Sequence, residues 1–194
     1  MSSKKKENSV GDSISTIKSG WKFNENVADN FEEHIRRSVP LYEKGHDLIC
    51  ELSDFFIQDG SVCYELGTST GELIEKLAIH NKHKDVKWIG VDSEECMVSK
   101  ARNRCRKFKE IEFDVSDITE YKLEKSDLIV SYYTIQFVSP KKRQELFDKI
   151  YEVLNWGGAL ILFEKVRGPD ARFQDMINSL YTSFKLEIIL VHKK

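Results

Sequence analysis

The chain has 194 residues, 40% of them apolar and 32% charged, with a formal net charge of −2. Such a length and balance describe one soluble domain with its own core, and so small a charge supplies no general field for a nucleic acid or a membrane surface. No apolar run approaches the roughly 20 residues that cross a bilayer, and the polar opening MSSKKKENSVGDSIS is no secretory signal. Cytoplasmic residence is the expectation. The four cysteines, Cys50, Cys63, Cys96 and Cys105, show no C-x-x-C spacing. They read as small thiols kept reduced, with no metal site and no disulfide framework.

Residues 1–20 are rich in Ser, Lys and Asn, the composition of a disordered tail, and the domain proper is expected over 21–194. Its first part, 21–58, reads as a helical lid. Val27, Phe31, Ile35 and Val39 follow a helical stripe that Pro40 stops. A second helix runs from Tyr42 to about Phe56, and Asp59-Gly60 makes a turn. Strands and helices then alternate. Strands are expected at Ser61–Gly67, Val86–Asp92, Ile111–Val115, Asp127–Tyr133 and Ala159–Glu164, with a possible sixth at Leu186–His192. Helices are expected at Gly71–His80, Glu94–Phe108, from Ser139-Pro140 to about Leu154, and at Arg172–Phe184, with Asn155–Gly158 as a breaker. Apolar strands alternating with helices predict an α/β fold, Rossmann-like, with a mostly parallel sheet covered on both faces. Ligands of such sheets bind at the carboxyl ends of the strands, where strand order reverses.

The stretch ELGTSTGE (65–72) sits at the end of the first such strand. Gly67 and Gly71 permit a tight turn and a close ligand, but Ser69 stands where a dinucleotide fingerprint has glycine, which counts against a pyrophosphate. Glu65 would repel a phosphate and attract an ammonium group; the simpler reading is a helix-dipole partner. Asp92 ends the second strand, within the ~20 residues after the loop that suit a ribose-gripping acid. It also suits a helix cap, with Ser93 sharing that task. Asp114, near the end of the third strand, is placed to accept an adenine N–H or to serve a turn. Three acids at three strand ends around a glycine turn suit a cationic, phosphate-free nucleoside. S-adenosyl-L-methionine is that cofactor, and its sulfonium carries the chemistry. The sequence singles out no catalytic side chain.

The segments FNENVADNFEEHIRRSVPLY (23–42), ELGTSTG (65–71), IEFDVSDI (111–118) and TIQFVSPKKRQELFDKIYEVLNWGGALILFEK (134–165) resemble the carboxy-S-adenosyl-L-methionine synthase family, of the class I methyltransferase superfamily. The likeness runs from about Phe23 to Lys185. It implies carboxyl transfer from prephenate, or another small substrate, onto the methyl carbon of S-adenosyl-L-methionine, giving phenylpyruvate and a product used in modifying the wobble uridine of transfer RNA. A sulfonium acidifies its methyl group, so that carbon dioxide released beside it in a dry pocket can be captured. The resemblance places Tyr42 at the ligand's amino-acid end, Gly67, Thr68 and Ser69 in the loop, Asp92 and Ser93 on the ribose, and Asp114 with Val115 on the adenine. Tyr132 falls where the family has a small amide contacting the ligand. Arg37 matches a lid arginine, although pairing with Glu33 is the simpler account.

Compared with that family the chain reads as shortened at its C-terminal edge. The family's arginine for the added carboxylate comes from that region, and no arginine follows Arg172. An uncovered sheet edge and a homodimer are therefore expected, with no direct nucleic-acid or membrane contact required. Three readings follow: the synthase, an S-adenosyl-L-methionine-dependent methyltransferase of unknown acceptor, or a non-catalytic binding module.

Overall fold

The computed structural model describes the backbone of residues 8–9, 15–17, 20–22 and 25–191, and side chains from 31 to 188. Across the expected tail and the first residues of the expected domain, β1 (Asn8–Ser9), β2 (Ser15–Ile17) and β3 (Gly20–Lys22) make a small antiparallel meander. The rest of residues 1–20 lies outside the described residues. Helices α1 (Glu25–Ser38) and α2 (Tyr42–Ser53) follow. Pro40 separates them, and Leu41 turns the chain with φ 59°.

The main sheet is built from β4 (Ser61–Leu66), β5 (Val86–Asp92), β6 (Ile111–Val115), β7 (Ser126–Tyr132) and β8 (Leu154–Phe163). All four pairings are parallel, in the order β6-β5-β4-β7-β8. Strand order reverses between β4 and β7, so the crevice lies beside the glycine loop. Connections run through α3 (Glu72–His80), α4 (Glu95–Arg104) and α5 (Pro140–Val153), and α6 (Ala171–Val191) closes the described chain.

Both faces of the sheet are covered because its central strands are apolar on both sides. Leu128 and Val130 point into one core with Ile49, Leu77 and Val98, while Ile129 between them joins Tyr64, Leu146 and Ile150 in the other. The strand period of two produces this split from a continuous apolar run. The four cysteines are free thiols; three are buried and Cys96 is half-buried.

Two expected boundaries are corrected. Asn155–Gly158 does not break the chain before the fifth strand but lies inside β8, as an irregularity in register: Ser126 pairs with Leu154 while Leu128 already pairs with Ala159. Gly157 supplies the left-handed turn there, at φ 83°. The sixth strand is absent, because Leu186–Val191 continues α6. No Gly, Pro or Asn between Thr182 and Val191 interrupts the helix, so it runs through a β-prone composition. Among the described residues β8 consequently pairs on one side only.

A buried polar tie anchors α2 to this body. Asn81, 1% exposed, donates from Nδ2 to Ser53 Oγ at 2.9 Å and to Leu77 O at 3.1 Å, and Ser53 Oγ donates to Cys50 O at 2.6 Å. The end of α2 is thereby fixed to the end of α3. Replacing Asn81 with Ala should lower unfolding free energy by about 1–3 kcal/mol, the cost of stranding a buried polar partner, as measured by urea denaturation.

Candidate active site

After Leu66 the backbone turns sharply at Gly67 (φ 79°). A Cβ here would collide with the Thr134 side chain, so the loop can pack against the end of β7 only with glycine. The N–H groups of Gly67 and Thr68 both donate to Val91 O, at 2.7 and 3.1 Å, lashing the loop to β5. Ser69 then adopts a left-handed φ of 50° despite its side chain. Its amide donates to Asp92 Oδ2 at 2.8 Å, and this charge-assisted bond offsets the cost of the conformation. The same carboxylate accepts Glu94 N–H on Oδ1 at 3.0 Å. Asp92 therefore orders the turn that leads into α4, while Glu94, the residue before the helix, makes no side-chain cap bond. Ser139 likewise precedes Pro140 without a side-chain cap bond.

Glu65 is 4% exposed. Its Oε2 accepts from Thr68 Oγ1 at 2.7 Å and from Ile74 N–H at 3.1 Å. Ile74 lies in the first turn of α3, whose amides have no partner within the helix. Burial above all, with the neighbouring Asp92 and Glu72 charges, holds the Glu65 carboxyl up at about 8 against the downward pull of these two bonds. Burial also raises Asp92, against three backbone N–H groups that favour its charged form.

Around the loop lies a cavity of about 770 Å³, walled by the ends of β5 and β7 and roofed by Phe31, His34 and Ile35 of α1 and by Val39 just past its end. That is the size of a small-molecule site. Tyr42, Glu65, Gly67, Thr68, Ser69, Asp92, Ser93 and Tyr132 all line it. Asp114 and Val115 do not. The exposed Asp114 carboxylate instead accepts the Tyr121 hydroxyl at 2.6 Å, and Val115 is 40% exposed. Asp117, Ile118 and Thr119 of the same segment line the cavity in their place. Asp117 Oδ1 accepts both the N–H and the hydroxyl of Thr119, each at 2.8 Å. The acid recurs three residues along in DVSDI, which is the only signal the sequence offered for it. Glu72, Met97, Tyr133 and Thr134 also line the cavity and escaped the sequence reading.

The roof is held by charge. Arg36 reaches Glu72 Oε1 at 2.5 Å and also pairs with Glu43, while Glu32 pairs with Arg104 and accepts from Thr70 at 3.2 Å. Arg37 pairs with Glu33, one turn back on the surface. Tyr181 and Lys185 of α6 donate to the Ser38 and Arg37 carbonyls, at 3.1 and 3.0 Å. Beside the roof, Glu43, His46 and Glu72 lie within 4.8 Å of one another, a disposition that suits a metal ion. The Lys76 ammonium already sits among them, 2.5 Å from Glu43, 3.1 Å from His46 Nδ1 and 3.0 Å from Glu72. Burial and the Lys76 charge bring His46 down to about 4, which leaves the ring neutral and accepting from Lys76 on Nδ1.

The wall sets Glu65, Glu72, Asp92 and Asp117 against Lys142, itself paired with Glu120 at 2.6 Å. This donor set disfavours a phosphate and fits a cationic nucleoside. Residues 64–158 match a methyltransferase domain model. Carboxy-S-adenosyl-L-methionine synthase from Campylobacter lari is 36% identical over 166 residues, 85% of this chain and 70% of that protein. The protein of the same name from Nautilia profundicola is 34% identical over 89% of this chain and 73% of its own length. Among solved structures, the N-methyltransferase NodS from Bradyrhizobium japonicum, in complex with S-adenosyl-L-homocysteine, superposes with a TM-score of 0.55 at 23% identity, over 66% of this chain and 63% of its own. A Methanococcus maripaludis protein assigned as an S-adenosyl-L-methionine-dependent methyltransferase gives 0.59 at 22%, over 84% and 73%. These structural likenesses carry the fold, while the sequence relatives carry the family. The chain belongs to the carboxy-S-adenosyl-L-methionine synthase family and is an S-adenosyl-L-methionine-dependent transferase of class I methyltransferase fold.

Proposed function

We propose that the chain transfers a carboxyl group from prephenate to the methyl carbon of S-adenosyl-L-methionine: the methyl group gives up a proton, the prephenate ring loses its hydroxyl, the two leave as water, and the products are phenylpyruvate and carboxy-S-adenosyl-L-methionine for the modification of transfer RNA wobble uridine. The observation that carries this reading is the likeness to synthases of that name along most of the chain, joined to an acid-lined cavity at the sheet's switch point. The bound sulfonium supplies the activated carbon. The chain's own residues bind and enclose. Asp92, already oriented by two backbone amides, would accept the ribose hydroxyls. Asp117 offers the adenine end a carboxylate where Asp114, engaged by Tyr121, does not. Glu65 places negative charge beside the positive ligand, and the Phe31, Ile35 and Val39 side chains keep water from the pocket. The homodimer belongs to the same proposal: among the described residues β8 is unpaired along one edge, and Phe173, Met176, Ile177 and Leu180 of α6 are exposed.

Incubation with S-adenosyl-L-methionine and prephenate should yield, by mass spectrometry, the nucleoside heavier by one carbon dioxide, together with phenylpyruvate. Bound ligand without carboxylation would turn the reading toward an ordinary methyltransferase; absence of any binding would leave only a non-catalytic module.

Asp92→Ala should weaken S-adenosyl-L-methionine binding by about 1–3 kcal/mol in calorimetry, and an unchanged affinity would remove Asp92 from the site. The raised Glu65 carboxyl supplies a pH dependence. The free site holds a proton up to about pH 8, and a cationic ligand favours the carboxylate, so binding releases a proton. Affinity should therefore strengthen as pH rises toward 8, by at most about tenfold per unit, and level off above it. Calorimetry in buffers of different ionisation enthalpy reads the proton directly, and Glu65→Gln should remove this component.

A further inference from the structure

The cavity changes character along its length. Near the ends of β5 and β6 its wall is polar, with Asp92, Ser93 and Asp117. At the end of β7 it becomes aromatic. Tyr132 and Tyr133 meet edge-on with ring centroids 4.8 Å apart, and Tyr42 meets Tyr132 at 5.2 Å. All three line the cavity.

The position of Tyr132 is built by residues far from it in sequence. Its hydroxyl donates to Tyr42 O at 2.7 Å. Its phenol occupies the space above Gly45, where a Cβ would collide with it. Its far side rests on Phe163, with centroids 5.2 Å apart. Tyr133 is held at a left-handed φ of 57°, rare for a bulky residue, with its N–H donating to Phe163 O at 2.8 Å. The buried carboxyl of Glu65 opens on the same cavity from the adjacent strand, where Leu66 is in register with Ser131. Aromatic faces carry negative charge density, and beside a carboxylate in a partly dry pocket they attract a weakly hydrated cation.

We infer that Tyr132, with Tyr42 and Tyr133, forms an aromatic wall that recognises the sulfonium charge and sets the site's preference for the charged ligand over the neutral thioether of the same nucleoside. This rests on the S-adenosyl-L-methionine reading of the cavity. The polar half takes the nucleoside and the aromatic half the charged sulfur and its substituents, which assigns specificity to side chains at the β7 end rather than to the loop. Tyr132 is here a specificity-determining residue; its hydroxyl, spent on the Tyr42 carbonyl, has no part in the recognition.

The test compares dissociation constants for S-adenosyl-L-methionine and S-adenosyl-L-homocysteine in the full chain and in Tyr132→Phe, Tyr132→Leu and Tyr133→Leu. Tyr132→Phe keeps the ring and should keep the wild-type ratio of the two affinities. Tyr132→Leu should shift that ratio toward the thioether by about tenfold, the scale of a partly desolvated cation–π contact, while thioether binding persists and shows that the site is still folded. Tyr133→Leu, at a less buried position, should shift it in the same direction by a smaller factor. Equal weakening of both ligands in Tyr132→Leu, or an unchanged ratio in Tyr133→Leu should Tyr132→Leu fail to fold, overturns the inference. A wild-type chain that binds neither ligand overturns the cavity reading beneath it as well.

Discussion

A carboxyl group placed out of water at the end of the central strand is unfavourable unless something compensates it, and the rest of this site is arranged around that fact. Glu65 receives two hydrogen bonds, from the loop hydroxyl of Thr68 and from a first-turn amide of α3. The positive end of that helix favours a negative group there. The compensation is incomplete: burial and the nearby acids still hold the group far above the usual carboxylate range. A folded chain that keeps a carboxyl short of counter-charge at the switch point of its sheet has made a place for a cation. The loop geometry follows from the same arrangement, since Thr68 reaches Glu65 only because Gly67 turns the backbone against Thr134 and both loop amides are pinned to Val91.

The roof obeys a different rule. Arg36 and Lys76 share Glu43 and Glu72, and Glu32 takes Arg104, so the charges that bind α1 and α2 to α3 and α4 are matched among themselves. Pairs as exposed as these contribute little singly. Linked through the buried Glu72, they fix the helix that carries Phe31 and Ile35 over the cavity, with Val39 just past its end. They also account for the Glu43, His46 and Glu72 triad, in which a lysine ammonium takes the position between the three groups. Hydrogen bonds from Lys76 and Arg36 bring Glu43 down to about 2, against the burial that would raise it, so its charge is committed to the roof.

The polar half and the aromatic half of the cavity come from different parts of the chain. Asp92 is the last residue of β5 and Asp117 lies just past the end of β6, so strand ends deliver them. The aromatic half needs three separate elements to meet: α2 contributes Tyr42 and Gly45, β7 contributes Tyr132 with Tyr133 directly after it, and β8 contributes the Phe163 backing. Division of labour between a loop that tolerates a nucleoside and a wall that discriminates its charge follows from that construction.

The sequence by itself determined the four strands from β4 to β7. Apolar runs punctuated by Asp-Gly and glycine turns act within a few residues, so β5 was legible to its last residue, Asp92. The switch-point rule then carried Glu65, Gly67, Ser69 and Asp92 to one crevice without further information. Tertiary structure decided what local rules cannot reach. The carboxylate of Asp114 is engaged by Tyr121 while Asp117 lines the cavity, and nothing within DVSDI distinguishes the two. The residues after Thr182 are as strand-prone as any in the sheet, yet they extend α6, because no Gly, Pro or Asn breaks the helix there. Tyr132 is tied to a carbonyl 90 residues away, and whether such a ring fills a pocket or opens one is settled by the glycine opposite it. Side-chain direction at a site is a property of long-range contacts, whereas strand, turn and acid position are properties of short ones.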